Sequence, residues 1–348
     1  MKMQIKDINK LKRQVDFVDK DIVGLIHQRK ELTDAILNIK NEIGIAYRDR
    51  NREKEIVKKL IDLYGSQNKN LIKKIYHLIF DNSLKKHCIE FNKREIKTID
   101  DAFRLRPIII AGPCAVESKE QIFKIAKELS EKGIKFLRGG AFKPRTSPDT
   151  FQGLGDMGVE YLSEAAKKYN MFIVTEALES GQLIRHYDKI DIVQVGSRNM
   201  ASYGFLKEVG KITSKDKKPV LLKRGFNATL KELLLAAKYI QDEGNPNIIL
   251  CLRGIRTFEQ IDSKMRFTPD LASILELKEM TGLPVIFDPS HSTGNSQFVQ
   301  KVSEAALNLG ADGLLIETHY NPAKAMSDAE QCILPKVLFD ILDIIEKN

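Results

Sequence analysis

The hydrophobic pattern of the chain changes period once. From Ile8 to Ile43 apolar side chains recur every seven residues in two columns. Ile8, Val15, Ile22, Ile36 and Ile43 form one, and Leu11, Val18, Leu25, Leu32 and Ile39 the other. That spacing keeps both columns on one stripe of a helix. With no proline and one interior glycine, Gly24, it predicts a continuous helix of roughly 36 residues, about 54 Å long. Such a stripe needs partners along its length. The first column is broken at Arg29, where an unpaired buried charge would cost several kcal/mol, so its guanidinium must be paired or line a polar pocket. Lys40 follows about three turns later, on nearly the same face. A second helix is expected in YRDRNREKEIVKKL, with Asp49, Arg52 and Glu53 sharing a face at i, i+3, i+4 spacing. A third, from about Lys69 to Cys88, carries Leu71, Ile72, Ile75, Leu78 and Ile79.

Residues 91–106, FNKREIKTIDDAFRLR, mix charges without an apolar period and read as a linker, either helical or a pair of short strands. From Pro107 onward short apolar runs alternate with helical patterns. Strands are expected to begin near Ile108, Ile134, Met171, Asp191, Pro219, Asn247, Pro284 and Asp312. Eight such units are what a (β/α)8 barrel requires, and the remaining length matches its usual size of about 250 residues. A doubly wound open sheet is the alternative, but no GxGxxG follows the first strand to support a dinucleotide site. The expected fold class is therefore α/β. A TIM barrel over 107–348 is preceded by an all-α three-helix, dimerising domain over 1–90 and a linker over 91–106.

The length of 348 residues supports about two domains. The net charge of +9 lies entirely in the first part: residues 1–97 hold 23 Lys+Arg against 14 Asp+Glu, leaving 33 of each sign for the rest. A basic helical domain can bind nucleic acid, a membrane surface or a small polyanion. Arg29 favours the small polyanion, because it points into a seam rather than along an outer stripe. The N-terminus has no apolar signal-like run and no stretch reaches the roughly 18 apolar residues of a membrane span. Cys88, Cys114, Cys251 and Cys332 show no disulfide-like spacing. A cytoplasmic protein without nucleic-acid or membrane partners is expected.

In the barrel register the reactive residues collect just beyond the strands, where barrel enzymes build their sites. They are Cys114; Arg138 with Lys143 and Arg145; Glu176; Arg198; Lys223; Arg253; Asp288 with His291; and Glu317 with His319. Cys114, His291, Glu317 and Asp328 can together form a mixed sulfur, nitrogen and oxygen site for a divalent transition metal such as Mn, Fe, Co or Zn, and the donor set does not choose among them. The cations Arg138, Lys143, Arg198, Lys223 and Arg253 call for a substrate with phosphate and carboxylate groups.

These residues also carry two resemblances. Arg29, ten residues, Lys40, eight residues, Asp49, two residues, Arg52-Glu53 resembles the AroQ class of chorismate mutase over residues 5 to 90. That resemblance implies a helical dimer converting chorismate to prephenate. Arg29, Lys40, Asp49 and Arg52 would bind the substrate, and Glu53 would take its hydroxyl. Lys12 stands where the family has an arginine reaching from the partner subunit, and His87, four residues after Ser83, where it has a glutamine donor. The motifs AGPCAVES, LRGGAFKPRTSP, QVGSRNM, PVLLKRG, LRGIRTFE, DPSHSTG and IETHYNPAKAMSD resemble, in that order, the type I-beta 3-deoxy-D-arabino-heptulosonate 7-phosphate (DAHP) synthases over residues 107 to about 345. This implies condensation of phosphoenolpyruvate with erythrose 4-phosphate in aromatic amino acid biosynthesis. Cys114, His291, Glu317 and Asp328 would ligate the metal, with Mn favoured. Arg138, Lys143, Arg198, Lys223 and Arg253 would hold phosphoenolpyruvate, Arg145 and Thr146 would hold the second phosphate, and Lys143 is placed as a proton donor. Leu252-Arg253-Gly254 stands where the family often has Glu-Arg-Gly.

Three rival readings are compatible with the same residues. A 3-deoxy-D-manno-octulosonate 8-phosphate synthase shares the barrel chemistry but typically carries a KANR-type loop where this chain has KPRT. A Schiff-base aldolase would use Lys223. The helical domain can serve as a binding or regulatory module, sensing chorismate or prephenate for feedback inhibition. The helical stripe and the divided pocket imply a homodimer or homotetramer.

Overall fold

The structure, a computed structural model, describes residues 2–42, 49–92, 98–103, 105, 107–145, 147–259, 265 and 267–347. The chain divides into two compact units, Met1–Glu95 and Ile96–Asn348.

The first unit holds α1 (Lys2–Glu42), α2 (Arg50–Tyr64) and α3 (Lys69–Asn92). The first helix starts six residues before Ile8, so the seven-residue columns understate its length; Ile43 lies outside the described residues. Asp49 starts α2 by accepting the Arg52 N–H at 3.0 Å. Gly65, at φ 88, ends it. α3 packs against both other helices, yet Leu37 and Phe80 are the buried apolar side chains among this unit's described residues. The expected stripe is open along its length: Ile8, Val15, Ile22, Leu25, Leu32, Ile36 and Ile39 are all exposed.

The second unit opens with α4 (Ile99–Ala102), so the described part of the expected linker contains a helical turn. Ala102 is buried, and Phe103 packs on Phe136 with ring centroids 5.3 Å apart. The strands are β1 (Ile108–Gly112), β2 (Phe136–Arg138), β3 (Phe172–Glu176), β4 (Ile192–Val195), β5 (Val220–Lys223), β6 (Ile248–Leu252), β7 (Val285–Phe287) and β8 (Gly313–Glu317). All pair in parallel and in sequence order, and β1 closes on β8 with Ile108 opposite Gly313 and Gly112 opposite Glu317. The fold is the expected TIM barrel, and no open doubly wound sheet is formed. The helices are α5 (Lys119–Glu131), α6 (Asp156–Lys168), α7 (Ser180–His186), α8 (Tyr203–Thr213), α9 (Leu230–Asp242), α10 (Ala272–Met280), α11 (Pro289–Thr293), α12 (Ser296–Asn308) and α13 (Pro335–Lys347).

Strands covered on both faces must be apolar throughout, which is why they read as uninterrupted runs. β1, β6 and β8 are buried at every position. The helices supply the outer half of the core through one face each, as with Ile122, Ile125, Ala126 and Leu129 of α5. Local signals start them: Ser118 caps α5, and Thr229 and Glu232 form a capping box on α9. Gly112 ends β1 at φ 152, where a Cβ would lie 2.0 Å from the Arg138 carbonyl oxygen. The first two strands can close up at their C-terminal ends because that position is glycine. Among the described residues no helix is long and apolar enough to cross a membrane.

Candidate active sites

At the C-terminal ends of the barrel strands the chain places charged side chains inside the apolar wall. Arg138, Lys223 and Glu317 are the last residues of β2, β5 and β8, while Arg253 and Asp288 directly follow β6 and β7. All five are buried. Burying charge at this density is tolerable only with pairing, and two ion pairs hold four of the five. Arg138 donates to Glu317 Oε1 at 2.6 Å and Lys223 to Asp288 Oδ2 at 2.5 Å. Two of the cations expected to face a substrate are thus held against buried carboxylates.

Cys114, Glu317 and Asp328 bring their donor atoms within 4.8 Å of one another. The Cys114 thiol donates to Asp328 Oδ2 at 2.9 Å, and Lys143 Nζ lies 2.9 Å from its sulfur and 3.1 Å from its carbonyl oxygen. His291, the fourth expected ligand, stands at the edge of this group with Nε2 3.5 Å from Glu317 Oε1. Its Nδ1 lies 2.7 Å from Asp288 Oδ2, and this contact orients the ring with Nε2 toward the cluster. A thiol, an imidazole and two carboxylates converging in this way suit a divalent transition metal.

The electrostatics fit a cation. Burial, reinforced by Glu317, pushes the Cys114 thiol up to about 12. Burial works against ionising Asp328 too, but His291 and the Cys114 hydrogen bond lower it to about 2. Glu317 is likewise held below the ordinary carboxylate range: its burial is outweighed by His291 and Arg138. Lys143 is raised, since the charges around Cys114 and Glu317 overcome the cost of burying its ammonium. The site keeps two carboxylates charged and one thiol protonated, and a bound divalent ion would displace that proton.

The remaining barrel residues lie around this centre at different depths. Arg253 packs 4.0 Å from the Phe267 ring centroid and 4.9 Å from that of Phe226, over which the exposed Arg198 also leans at 5.3 Å. Arg145 bonds Thr150 Oγ1 at 3.2 Å within its own loop. Thr146 lies outside the described residues. Asp288 was expected on this rim without a stated role, and Ser290 and Gln331 were not singled out by spacing. Asp288 orients both Lys223 and His291, Ser290 Oγ accepts the Glu317 N–H at 2.9 Å, and Gln331 Nε2 donates to Glu317 Oε2 at 2.6 Å. The DPSH wording, an N-cap in front of a proline, was the available signal for the orienting role of Asp288.

In the helical unit Arg29 does leave the apolar stripe for a polar partner: it donates to Ser83 Oγ at 3.4 Å and covers the Phe80 ring at 5.3 Å. Lys40 and Glu53 are half-buried and Lys12 is exposed. One expectation is corrected here. Asp49 does not share a helical face with Arg52 and Glu53, because it is the extended N-cap of α2 and its carboxylate accepts the Arg52 N–H. The Arg52 guanidinium pairs with Glu55 at 3.1 Å, one turn along its own helix. The His87 side chain lies outside the described residues.

The sequence profile of the DAHP synthetase I family matches residues 91–348, most of the chain. The chain belongs to the DAHP synthetase I family. A second profile, chorismate mutase type II, matches residues 11–87. Among relatives of this DAHP synthetase family member, a phospho-2-dehydro-3-deoxyheptonate aldolase of Thermotoga maritima is 49% identical over 225 residues, covering 65% of this chain and 64% of the relative. The chain thus spans somewhat less than two thirds of that protein's length. A 2-dehydro-3-deoxyphosphooctonate aldolase of Francisella tularensis subsp. holarctica is 32% identical over 239 residues, 63% of this chain and 83% of the relative. Among solved structures, the Thermotoga maritima DAHP synthase superposes with TM-score 0.65 and 46% identity, covering 69% of this chain and 68% of that one. A truncated form of the 3-deoxy-D-arabino-heptulosonate 7-phosphate synthase from the same organism gives 0.62 and 43%, covering 69% and 85%.

Proposed function

We propose that the barrel condenses phosphoenolpyruvate with erythrose 4-phosphate and water, giving DAHP and inorganic phosphate. The observation that carries this reading is the convergence of Cys114, Glu317 and Asp328 beside Lys143 and Arg138 at one mouth of the barrel. Cys114, His291, Glu317 and Asp328 would hold a divalent ion, Mn for choice, and its Lewis acidity would polarise the aldehyde oxygen of the sugar phosphate. Arg138, Arg198, Lys223 and Arg253 hold the phosphate and carboxylate of phosphoenolpyruvate with C3 facing the aldehyde carbon. As the new carbon–carbon bond forms, positive charge develops at C2, water adds there, and the C2–O bond to phosphate breaks. Lys143, charged and next to Cys114, protonates the new alkoxide.

Arg145 and Thr146 take the phosphate end of erythrose 4-phosphate. The octulosonate relatives support a second reading in which the acceptor is arabinose 5-phosphate. Release of inorganic phosphate with each sugar phosphate decides between them: turnover with the five-carbon sugar alone overturns the first. Arg145→Ala should raise the KM for erythrose 4-phosphate by about tenfold or more while leaving that for phosphoenolpyruvate near its original value, as expected for loss of one charged phosphate contact.

For the helical unit we infer conversion of chorismate to prephenate, sensing of these compounds for feedback inhibition, or both. Arg29, Lys40, Asp49, Arg52 and Glu53 would line the pocket, and Lys12 would reach into that of a partner subunit. The open apolar stripe of α1 supports a homodimer or a homotetramer of such dimers. Prephenate formation by the full chain and by His87→Gln, measured from mildly acidic to mildly alkaline pH, tests catalysis. Loss of synthase inhibition by prephenate on deleting residues 1–90 tests sensing.

A further inference from the structure

Glu117 lies three residues beyond Cys114 and spans two loops of the barrel mouth. Its Oε1 accepts the Met326 N–H at 2.8 Å, and its Oε2 lies 3.4 Å from His319 Nε2. His319 is 2% exposed, and its Nδ1 accepts the Asn321 N–H at 2.9 Å. The ring proton therefore sits on Nε2, the nitrogen that faces Glu117. The carboxylate thus bonds the segment between β8 and α13 at Met326 and lies against it at His319.

Both ends of this bridge are anchored. On the near side, the Glu117 N–H donates to Gln121 Oε1 at 3.1 Å, and Gln121 Nε2 donates to the Ala115 carbonyl at 3.0 Å. Gln121 is buried in the first turn of α5, so the stretch from Ala115 to Glu117 is clamped to that helix. On the far side Met326 is two residues before Asp328, whose φ of 52 is in the left-handed region. Aspartate is among the few non-glycine residues that adopt this conformation, and here its carboxylate accepts from the Cys114 thiol. α5 grips the same segment a second time through Lys124, which lies 4.4 Å over the Tyr320 ring, itself stacked on His319 at 4.7 Å.

We propose that Glu117 is a positioning residue that latches the β8–α13 loop to the β1–α5 loop, so that Asp328 is delivered to Cys114 and the divalent-cation site is closed. The inference rests on the reading of Cys114, Glu317 and Asp328 as metal ligands. Without the carboxylate the Met326 N–H loses its acceptor and His319 loses the charge beside its ring, and the turn carrying Asp328 is released from the first loop.

The test is titration of the full-length protein with Mn2+ and Co2+ in competition with a chelating dye. Glu117→Ala should weaken cation binding by about tenfold or more, the range for losing a group that orients metal ligands. Glu117→Gln keeps an oxygen for the Met326 N–H and should stay within about threefold. Glu117→Asp keeps the charge but not the reach and should follow Glu117→Ala, so the comparison survives if the alanine variant does not fold. At saturating Co2+ all variants should show the thiolate-to-cobalt absorption of the parent, and proteolysis within residues 320–328 should be faster in Glu117→Ala and Glu117→Asp. Parent-like affinity in both of those variants overturns the latch. So does loss of the cobalt–thiolate band at saturation, or a glutamine variant as weak as the alanine one, since both mark direct ligation or a charge effect. A parent protein that binds neither ion refutes the metal reading itself.

Discussion

The two units handle buried polarity in opposite ways. The barrel encloses Arg138, Lys223, Asp288 and Glu317 in its own wall and neutralises them within one chain, so its site is assembled by the fold of a single copy. The helical unit presents Arg29 to a buried serine and an aromatic ring but leaves Ile8, Val15, Ile22 and Leu25 in the open. A closed barrel has no edge and covers its strands with helices from the same segment. Three helices with one long apolar stripe have no such closure, and what completes them must come from another surface. The barrel should therefore tolerate damage to the helical unit's assembly, whereas the helical unit should not.

The sharpest way to break this contrast is at Lys143. Lys143→Met removes a charged donor 2.9 Å from the Cys114 sulfur. It should lower kcat for DAHP formation by about 10³-fold, within the range for general acid catalysis, while prephenate formation by the same sample is unchanged. A joint fall of both activities would mean that the units do not function independently.

That contrast was only partly legible in the chain. Each expected strand start lies within two residues of the observed one, because a strand buried on both faces must be a continuous apolar run and the turn before it is polar. The rim position of Glu317 and Lys223 followed from the same register. What spacing could not supply was pairing across the barrel. Arg138 meets Glu317 179 residues away, and nothing local to either announces it. Nor does sequence reveal that Asp328 sits in a left-handed turn, or that Glu117 reaches Met326 across 209 residues. In the helical unit the error was local: Asp49 was assigned to a helical face by counting, but a short carboxylate before a charged helix start is better placed as a cap than as a face residue.

Assembly of the helical stripe gives the next largest effect. Ile22→Asp with Leu25→Asp places two carboxylates on the exposed stripe without touching Leu37 or Phe80, the buried apolar pair among that unit's described residues. Each apolar side chain covered by a partner contributes about 1.5–3 kcal/mol, so the double change should weaken self-association by at least about a hundredfold. Sedimentation velocity over a concentration series reads this directly. Prephenate formation should fall with the associated species, and DAHP formation per chain should not. An unchanged association state would show that the stripe is covered by something other than a second copy.

The smallest effect is expected at the opposite end of the barrel from its site, where residues contribute stability alone. Tyr187, just after α7, donates its hydroxyl to Asp216 Oδ1 at 2.5 Å, and Lys218 Nζ lies 3.8 Å from its ring centroid while bonding the carbonyls of Tyr187 and Ile190. Burial, then the hydrogen bond to Asp216, pushes the phenol above its ordinary value of 10. A group whose pKa is raised by folding contributes stability that is fully present below its unfolded pKa and lost as pH rises toward the folded one. Tyr187→Phe should accordingly cost no more than about 1 kcal/mol at pH 8, the loss of one hydrogen bond on a half-buried side chain. Urea unfolding of the two proteins should converge as pH rises above about 10. A gap that widens in that range would mean that the ionised phenol, held by Lys218, is the stabilising form, and would reverse the roles of Asp216 and Lys218 at this corner.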